Sequence, residues 1–219
     1  MKKIVSRRLA LVAGVVLMLA ACGGGGDGGG AGDPTAAGSS GSAAVAAMGT
    51  LRLALTDAPA CGFDKVFVTV EKVRIHQSAA SGEGDAGWSE IVLGRPKRLD
   101  LLSLTNGVLE ELGQKSVPAG KYQQLRLVLS ENGSTAPYPN AVIPTGSKDE
   151  VALTTPSADQ TGLKINTDMD VIASQTTDFV IDFNACKSIV TTGGGRANGN
   201  GSAGKYLLKP VLTVARRTS

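Results

Sequence analysis

The sequence predicts an all-β domain, an antiparallel β-sandwich with one short helix. Apolar and polar residues alternate over many short stretches, which is the spacing of half-buried strands. Glycine, proline and asparagine separate these stretches and supply the turns. About 170 residues follow a low-complexity segment near the start of the chain, which is enough for one domain with a hydrophobic core.

The first alternating stretch is TLRLALTDAP. Its leucines Leu51, Leu53 and Leu55 point to one side, while Arg52 and Ala54 point to the other. The stretch DFVIDF repeats this pattern, with its phenylalanines and isoleucine on the inner face and its aspartates on the outer face. Both stretches are therefore predicted to be strands with one face in the core.

The stretch KVFVTVEKVRIH contains a change of phase. Its valines alternate regularly as far as Val70, and the next apolar residues are Val73 and Ile75. A slip of one residue would turn the second half of a regular strand inside out. We therefore expect a β-bulge near Glu71 and Lys72, where one extra residue restores the phase.

Further strands are predicted in GWSEIVL, YQQLRLVLS and YLLKPVLTVA, and a short helix is predicted in DLLSLTNGVLEELGQ. In the latter, Leu104, Val108, Leu109 and Leu112 lie near helical spacing, and Gly113 suits the left-handed residue that ends a helix. The sequence VPAGKY then turns the chain into the next strand. Shorter extended pieces are expected at 140–143, 150–154, 163–166, 170–173 and 187–190.

The start of the chain has the parts of an export signal. Basic residues precede an apolar stretch at 9–20, which is shorter than the about 20 residues needed to span a bilayer as a helix. The following Leu-Ala-Ala-Cys, ending at Cys22, resembles the bacterial lipobox. This resemblance implies lipidation of Cys22 and cleavage before it. The glycine at position 23 favours the outer membrane, since an aspartate there resembles an inner-membrane retention signal. The alternative is an ordinary signal peptide in which the cysteine has no role.

These features predict three parts: a lipoprotein signal peptide at 1–21, a lipidated cysteine with a flexible Gly/Ala/Ser tether at 22–47, and a β-sandwich domain at 48–217. The tether lacks the apolar bulk needed to offset the entropy cost of ordering. Four of the 22 basic residues lie in the signal, whereas all 19 acidic residues follow it. The exported part is therefore nearly neutral and has no basic surplus to attract nucleic acid.

Two cysteines remain after Cys22, namely Cys61 and Cys186. Exported domains meet oxidising conditions, so a disulfide between these two is expected. The alternative is a pair of buried free thiols. A zinc site is a poorer explanation, because His76 is the only histidine and two cysteines do not complete a tetrahedral shell.

The order of several motifs resembles a known family. These are TDAP, the valine-rich KVFVTVEKVRIH, a tryptophan before EIVL, and PAGKYQQLRL. Over about 49–215 the chain is similar to the bacterial lipoprotein family catalogued as domain of unknown function 4382. The PAGKY turn also resembles turns in transthyretin-like (prealbumin-like) sandwiches. The resemblance implies a fold and a location, but no activity and no catalytic residues.

Residues able to carry chemistry are few. A serine or cysteine hydrolase needs a nucleophile, a base and an orienting group, and the sole histidine is expected at the end of a strand without a nucleophile motif. The adjacent acids in this chain diverge on a strand or helix, so they do not form an acid–base pair. A distant pair such as Asp57 with Asp100 is the remaining route to a hydrolase, and we predict no enzyme and no cofactor.

Two possible binding sites remain. Asn166, Asp168 and Asp170 offer oxygen ligands for calcium, although alternating acids on a strand usually form a solvated face. Asp57 in TDAP is expected to form a turn by accepting backbone N–H groups, or else to contact a ligand from an exposed loop. Trp88 follows a glycine-rich loop and is either a core residue or an exposed ligand contact.

The sequence thus predicts an outer-membrane lipoprotein facing the periplasm or the cell surface. Its β-sandwich is expected to be a non-catalytic module for binding or envelope assembly, with the membrane as one partner through the lipid. An envelope protein or an extracellular ligand is the expected second partner. A glycan-binding module is the first alternative, and a hydrolase is the second.

Overall fold

The structure is a computed structural model, which describes residues 46–58, 62–156, 158–192 and 205–217. Twelve strands and two short helices are found in these ranges. The helices are a 3-10 helix at Leu101–Leu104 and α1 at Ala185–Ser188. The strands are β1 (Met48–Asp57), β2 (Phe63–His76), β3 (Ser89–Asp100), β4 (Glu110–Pro118), β5 (Gly120–Leu129), β6 (Ala141–Pro144), β7 (Val151–Thr154), β8 (Leu163–Val171), β9 (Thr176–Phe183), β10 (Ile189–Thr192), β11 (Lys205–Leu208) and β12 (Leu212–Arg216).

The strands form two sheets. The smaller sheet has the order β12-β9-β1-β4, and the larger has the order β10-β11-β7-β6-β2-β5-β8, with β3 paired to the free side of β2. The predicted all-β class is confirmed. The sheets are mixed rather than wholly antiparallel, because β1 runs parallel to β9 and β11 runs parallel to β7.

The inner faces of both sheets contribute to one hydrophobic core. The leucines of β1 at 51, 53 and 55 are fully buried, and Phe179, Ile181 and Phe183 of β9 join them, as the alternation predicts. From the larger sheet, β2 and β5 supply the opposing valines and leucines. This packing of two apolar faces is the main stabilising contribution in such a layered domain.

The predicted bulge in β2 is confirmed. Val70 and Lys72 pair with successive residues of β5, Leu129 and Val128, so Glu71 is the extra residue. The bulge lets Val70 and Val73 both enter the core although three positions separate them.

The predicted helix after Asp100 is wrong over most of its length. Only Leu101–Leu104 turn, as a 3-10 helix that begins at the Asp100 side chain, and Glu110–Pro118 form β4 along the edge of β1. Leucines at this spacing suit a strand with a bulge as well as a helix. The hydrogen-bonded pairing with β1 makes this segment a strand. Gly113 is therefore a bulge residue in β4 and does not end a helix.

The turn PAGKY is held by its own tyrosine. Tyr122 is almost fully buried, and its hydroxyl donates to the carbonyl of Pro118 at 2.9 Å. Gly120 has a φ of +137°, which a residue with a Cβ rarely adopts, and this lets the chain pass from β4 in the smaller sheet to β5 in the larger sheet over a single connecting residue. The motif thus encodes a tight connection between the two sheets.

Other expected strands are present with altered limits. The two pieces expected at 163–166 and 170–173 form one strand, β8, while YLLKPVLTVA divides into β11 and β12. The piece expected at 187–190 is partly helical, because α1 occupies the start of it and β10 begins at Ile189. Within the described part of the chain, no helix is long and apolar enough to cross a membrane.

Gly49 provides a test of the packing between β1 and the end of β8. A Cβ at this position would lie 2.3 Å from the carbonyl oxygen of Ile172 and 2.8 Å from a Val171 methyl. We expect Gly49→Ala to lower the free energy of unfolding by about 1–3 kcal/mol, measured by urea denaturation. The control is Gly133→Ala, whose Cβ would meet nothing within 4 Å and whose effect should stay within about 0.5 kcal/mol. Equal effects of the two variants would contradict this packing.

Candidate functional site

A groove of about 640 Å³ lies between β3 and β4. These strands are the edges of the two sheets on one side of the sandwich, since among the described strands β3 pairs only with β2 and β4 only with β1. The volume falls within the range of roughly 300–1,000 Å³ common for small-ligand sites. The groove is lined by Ile91–Lys97 of β3 and Glu111–Gln114 of β4.

An irregularity in β3 forms one wall of this groove. Val92 pairs with Lys72, and the next pair joins Lys97 to Val70. Four residues of β3 therefore lie opposite the single residue Glu71 of β2. The segment 93–96 is longer than its partner and must leave the regular ladder, which gives the edge a wall of its own.

A second bulge forms the opposite wall. In the pairing of β4 with β1, Gly113 lies opposite Leu53 and Glu111 opposite Ala54, so Leu112 is the extra residue. Gly113 has a φ of +137°, and a Cβ there would lie 2.9 Å from the Cγ2 of Ile91. The glycine thus lets β4 bend at the point where β3 approaches it.

Two lysines join the strands at the ends of the groove. Lys97 of β3 forms an ion pair with Glu110 of β4. At the other end, Lys115 of β4 donates to the backbone carbonyl of Glu90 at 2.9 Å. The groove is therefore bounded along the strands and opens outward.

Asp57 lies at the end of β1 and is 5% exposed. Its Oδ1 accepts from the backbone N–H of Ala185 at 2.9 Å, which ties β1 to the start of α1. Among the described residues its Oδ2 has no partner, and one buried oxygen of Asp182 has none either. Burial raises the pKa of Asp57 to about 6, and the negative charges of Asp182 and Asp100 act in the same direction. Asp57 thus accepts a backbone N–H from a residue 128 positions away, and the turn expected at TDAP extends beyond the described residues.

The other member of the suspected acid pair is engaged elsewhere. The Oδ2 of Asp100 accepts from Lys65 Nζ at 2.7 Å, and its Oδ1 accepts from the backbone N–H of Val66 and of Leu102, both at 3.3 Å. Asp100 therefore serves the start of the 3-10 helix and the first half of β2. It acts on Asp57 through its negative charge.

We expect Asp57 to make stability fall as pH rises. A carboxyl with a pKa of about 6 in the folded state and 3.8 when unfolded stabilises the fold fully below about pH 4. That contribution, at most about 3 kcal/mol, is lost as pH rises through 6. Asp57→Asn should remove this slope, so the stability difference between variant and wild type should change between pH 4 and 7 in urea denaturation.

The control for this measurement is Asp168→Asn, which changes a carboxylate with a 76% exposed side chain. Its stability should follow that of the wild type across the same pH range. If the free energies of unfolding of the wild type and Asp57→Asn differ by the same amount from pH 4 to 7, the assigned environment of Asp57 is refuted.

His76 holds the loop between β2 and β3. Its Nδ1 accepts from the backbone N–H of Ser78 at 2.9 Å, and its Nε2 lies 2.9 Å from the carbonyl of Ala86. These partners assign the proton to Nε2. The Ser81 hydroxyl lies 2.7 Å from Nδ1, but this serine is buried, and the other ring nitrogen faces a carbonyl where a catalytic triad has a carboxylate. The contact is therefore structural.

Trp88 closes the same loop and is half-buried. Its Nε1 donates to the carbonyl of Gly82 at 2.9 Å, and the guanidinium carbons of Arg74 and Arg126 lie 4.6 and 5.0 Å from its ring centroid. The indole therefore packs on cations of the outer sheet face. It is neither a core residue nor a free aromatic platform.

Arg126 is the buried charge beneath this loop. It is 7% exposed, and its guanidinium donates to the carbonyls of Thr161 and Ser81, both at 3.1 Å. The Gln124 side chain, with its oxygen turned toward Arg126, accepts from Nε at 2.8 Å. Carbonyl oxygens and the indole ring together replace the water that a buried cation loses.

A family model described as Domain of unknown function (DUF4382) matches residues 48–210. The chain belongs to this family. Neither the curated proteins nor the solved structures contain a significant match to the chain. The family match begins at the first residue of β1 and includes both walls of the groove, Asp57 and the Trp88 loop.

The suggested calcium ligands lie on β8 of this DUF4382 domain. Asn166, Asp168 and Asp170 are all exposed on the solvent face of the strand, and Asp168 forms an ion pair with Lys121 at 3.1 Å. Same-face neighbours on a strand are separated by roughly 7 Å, so the three side chains do not converge by themselves. In the described ranges, no cluster of three or more His, Cys, Asp or Glu side chains is suited to a metal ion.

Of the three cysteines, only Cys186 lies among the described residues. Cys22 and Cys61 lie outside the described residues, whereas Cys186 lies in α1. The contact of Asp57 with Ala185 brings the chain four residues before Cys61 beside the neighbour of Cys186. The disulfide stays a prediction, and this proximity supports it.

The groove residues were not found by sequence reasoning. Gly94, Arg95 and Pro96 interrupt the apolar alternation after EIVL, which is the signal of an irregular strand. The opposing residues belong to the segment that was predicted as a helix. No pattern within a short stretch of sequence indicates that β3 and β4, the edge strands of two different sheets, lie side by side.

Proposed function

We propose that this protein is a lipid-anchored component of the bacterial cell envelope whose β-sandwich is a non-catalytic binding domain. The groove between β3 and β4 is its ligand site. The observation that carries this proposal is the pair of facing bulges, which opens an accessible groove of about 640 Å³ between two sheet edges. Bulges at an edge commonly shape a functional surface.

The lipid anchor is supported by the sequence at the start of the chain. The basic residues, the short apolar stretch and the Leu-Ala-Ala-Cys ending at Cys22 occur in the order of a lipoprotein signal. Two or three acyl chains would hold the protein firmly at a membrane, since each buried CH₂ contributes about 0.8 kcal/mol. The glycine after Cys22 favours the outer membrane as the destination.

A binding role agrees better with the side chains than catalysis does. His76 is engaged in holding its loop, Asp100 caps the 3-10 helix, and Asp57 anchors α1. Hydrolysis requires a base or acid placed beside a reacting group in a cleft. The described lining of the groove offers Glu111 as its one carboxylate, without a histidine or a second acid.

Lipidation is tested by Cys22→Ala. The wild type should partition into the detergent phase of a two-phase extraction and carry the mass of acyl chains. The variant should partition into the aqueous phase without that mass, because the acylated atom is absent. Ser39→Ala is the control, since it changes a residue of the predicted tether but leaves the acylated cysteine. An acylated Cys22→Ala protein would disprove the anchor.

The groove is tested by a photoreactive side chain placed within it. Val92 lines the groove and is 66% exposed, so a benzoylphenylalanine there should fit without disturbing the core. After irradiation of cells, the full-length protein should carry an added mass at this position, read by intact and peptide mass spectrometry. The expected result is one dominant adduct.

The matched control is the same photoreactive residue at Val211. This valine is 40% exposed and lies between β11 and β12, on a different part of the domain. A binding groove predicts a strong adduct at position 92 and only background at 211. Equal labelling at the two positions, or no labelling at 92, would overturn the proposed site.

A further inference from the structure

The charges around the groove are unevenly balanced. Lys97 is paired with Glu110, whereas Arg95 makes no ion pair or side-chain hydrogen bond with any described residue. Lys115 donates to a backbone carbonyl, so its charge also lacks a carboxylate of its own. The groove therefore presents a surplus of positive charge.

The one carboxylate of the lining is balanced outside the groove. Glu111 also lines a second, smaller pocket together with Arg52, Asp178 and Arg217. There Arg52 forms an ion pair with Asp178 and lowers its pKa, and the charge of Arg217 lowers it further. These four side chains form a neutral set. No described carboxylate forms an ion pair with Arg95.

The floor of the groove is apolar. Ile91 and Leu112 are about 95% buried and form its floor, while Leu93 is half-buried and Val92 is exposed at its rim. The exposed valine and the half-buried leucine present apolar surface that a ligand can cover with hydrocarbon.

We propose that the groove binds a small amphipathic anion, a molecule with one hydrocarbon body and one carboxylate or phosphate head. This inference rests on the proposed binding function and names its ligand class. The hydrocarbon lies on Val92 and Leu93, above the floor of Ile91 and Leu112, and the head group pairs with Arg95, whose planar guanidinium matches either kind of oxyanion. The lysine contacts at both ends bound the groove along the strands, which favours a short hydrocarbon body.

The test uses four probes with the purified full-length protein, each kept below its micellar concentration. Decanoate has the body and the anionic head, decanol has a neutral head, decyltrimethylammonium has a cationic head, and butyrate lacks the body. Dissociation constants are measured by calorimetric titration. We expect decanoate to bind about threefold to tenfold more tightly than decanol, and butyrate and the ammonium probe to bind least.

Variants at Arg95 assign the preference to the groove. Arg95→Gln should equalise decanoate and decanol, and Arg95→Glu should favour the ammonium probe. The matched controls are Arg216→Gln and Arg216→Glu, which change an exposed arginine of β12 and should leave all four constants within twofold. Decyl phosphate should behave as decanoate does, in the wild type and in each variant.

Two results would overturn the ligand class. One is equal binding of decanoate and decanol by the wild type, and the other is a preference for decanoate that survives Arg95→Gln. Either result leaves the photoreactive test at Val92 as it stands, because an adduct of another chemical kind there still supports a binding groove. Failure of both experiments removes the binding function itself.

Discussion

The bulge of β2 at Glu71 is the constraint on which the larger sheet depends. β2 pairs with β3 on one side and with β6 and β5 in succession on the other. Both of its halves bury valines, but the two halves differ in phase by one residue. A regular strand would bury one set and expose the other. The extra residue at 71 keeps both sets in the core.

The same irregularity leads to the groove. Beside Glu71, β5 stays regular, whereas β3 places four residues, 93–96, opposite this one position. This extra length forms one wall at the open side of the sandwich. β4 carries its own bulge at Leu112, where Gly113 allows the bend. The groove thus results from the irregularities of the two edge strands, β3 and β4. Its apolar floor, Ile91 and Leu112, is part of the hydrophobic core.

The residues that first attract attention in the sequence have structural roles. His76 and Trp88 fix the loop that covers the outer face of β2 and β5, and Arg126 is the buried cation beneath it. Sequence reasoning could place the histidine at the end of a strand, because the alternation ends there. It could not foresee the carbonyl groups and the indole that surround Arg126, since these come from segments that are distant along the chain. Asp57 was expected to accept a backbone N–H, but its partner Ala185 lies 128 residues away along the chain.

The sequence by itself determined the all-β class, most strand positions, the bulge at Glu71 and the tight turn at PAGKY. Each of these depends on side-chain alternation or on local backbone limits at glycine and proline, which a short stretch contains in full. The tertiary structure alone decided the parallel pairing of β1 with β9, the strand β4 in place of a helix, and the groove. Leucines at 104, 109 and 112 suit a helix in isolation, yet the free edge of β1 offers backbone hydrogen bonds and a core to bury Leu112. Such long-range pairing overrides local spacing, because burial and ladder hydrogen bonds outweigh the small free-energy differences of local propensity.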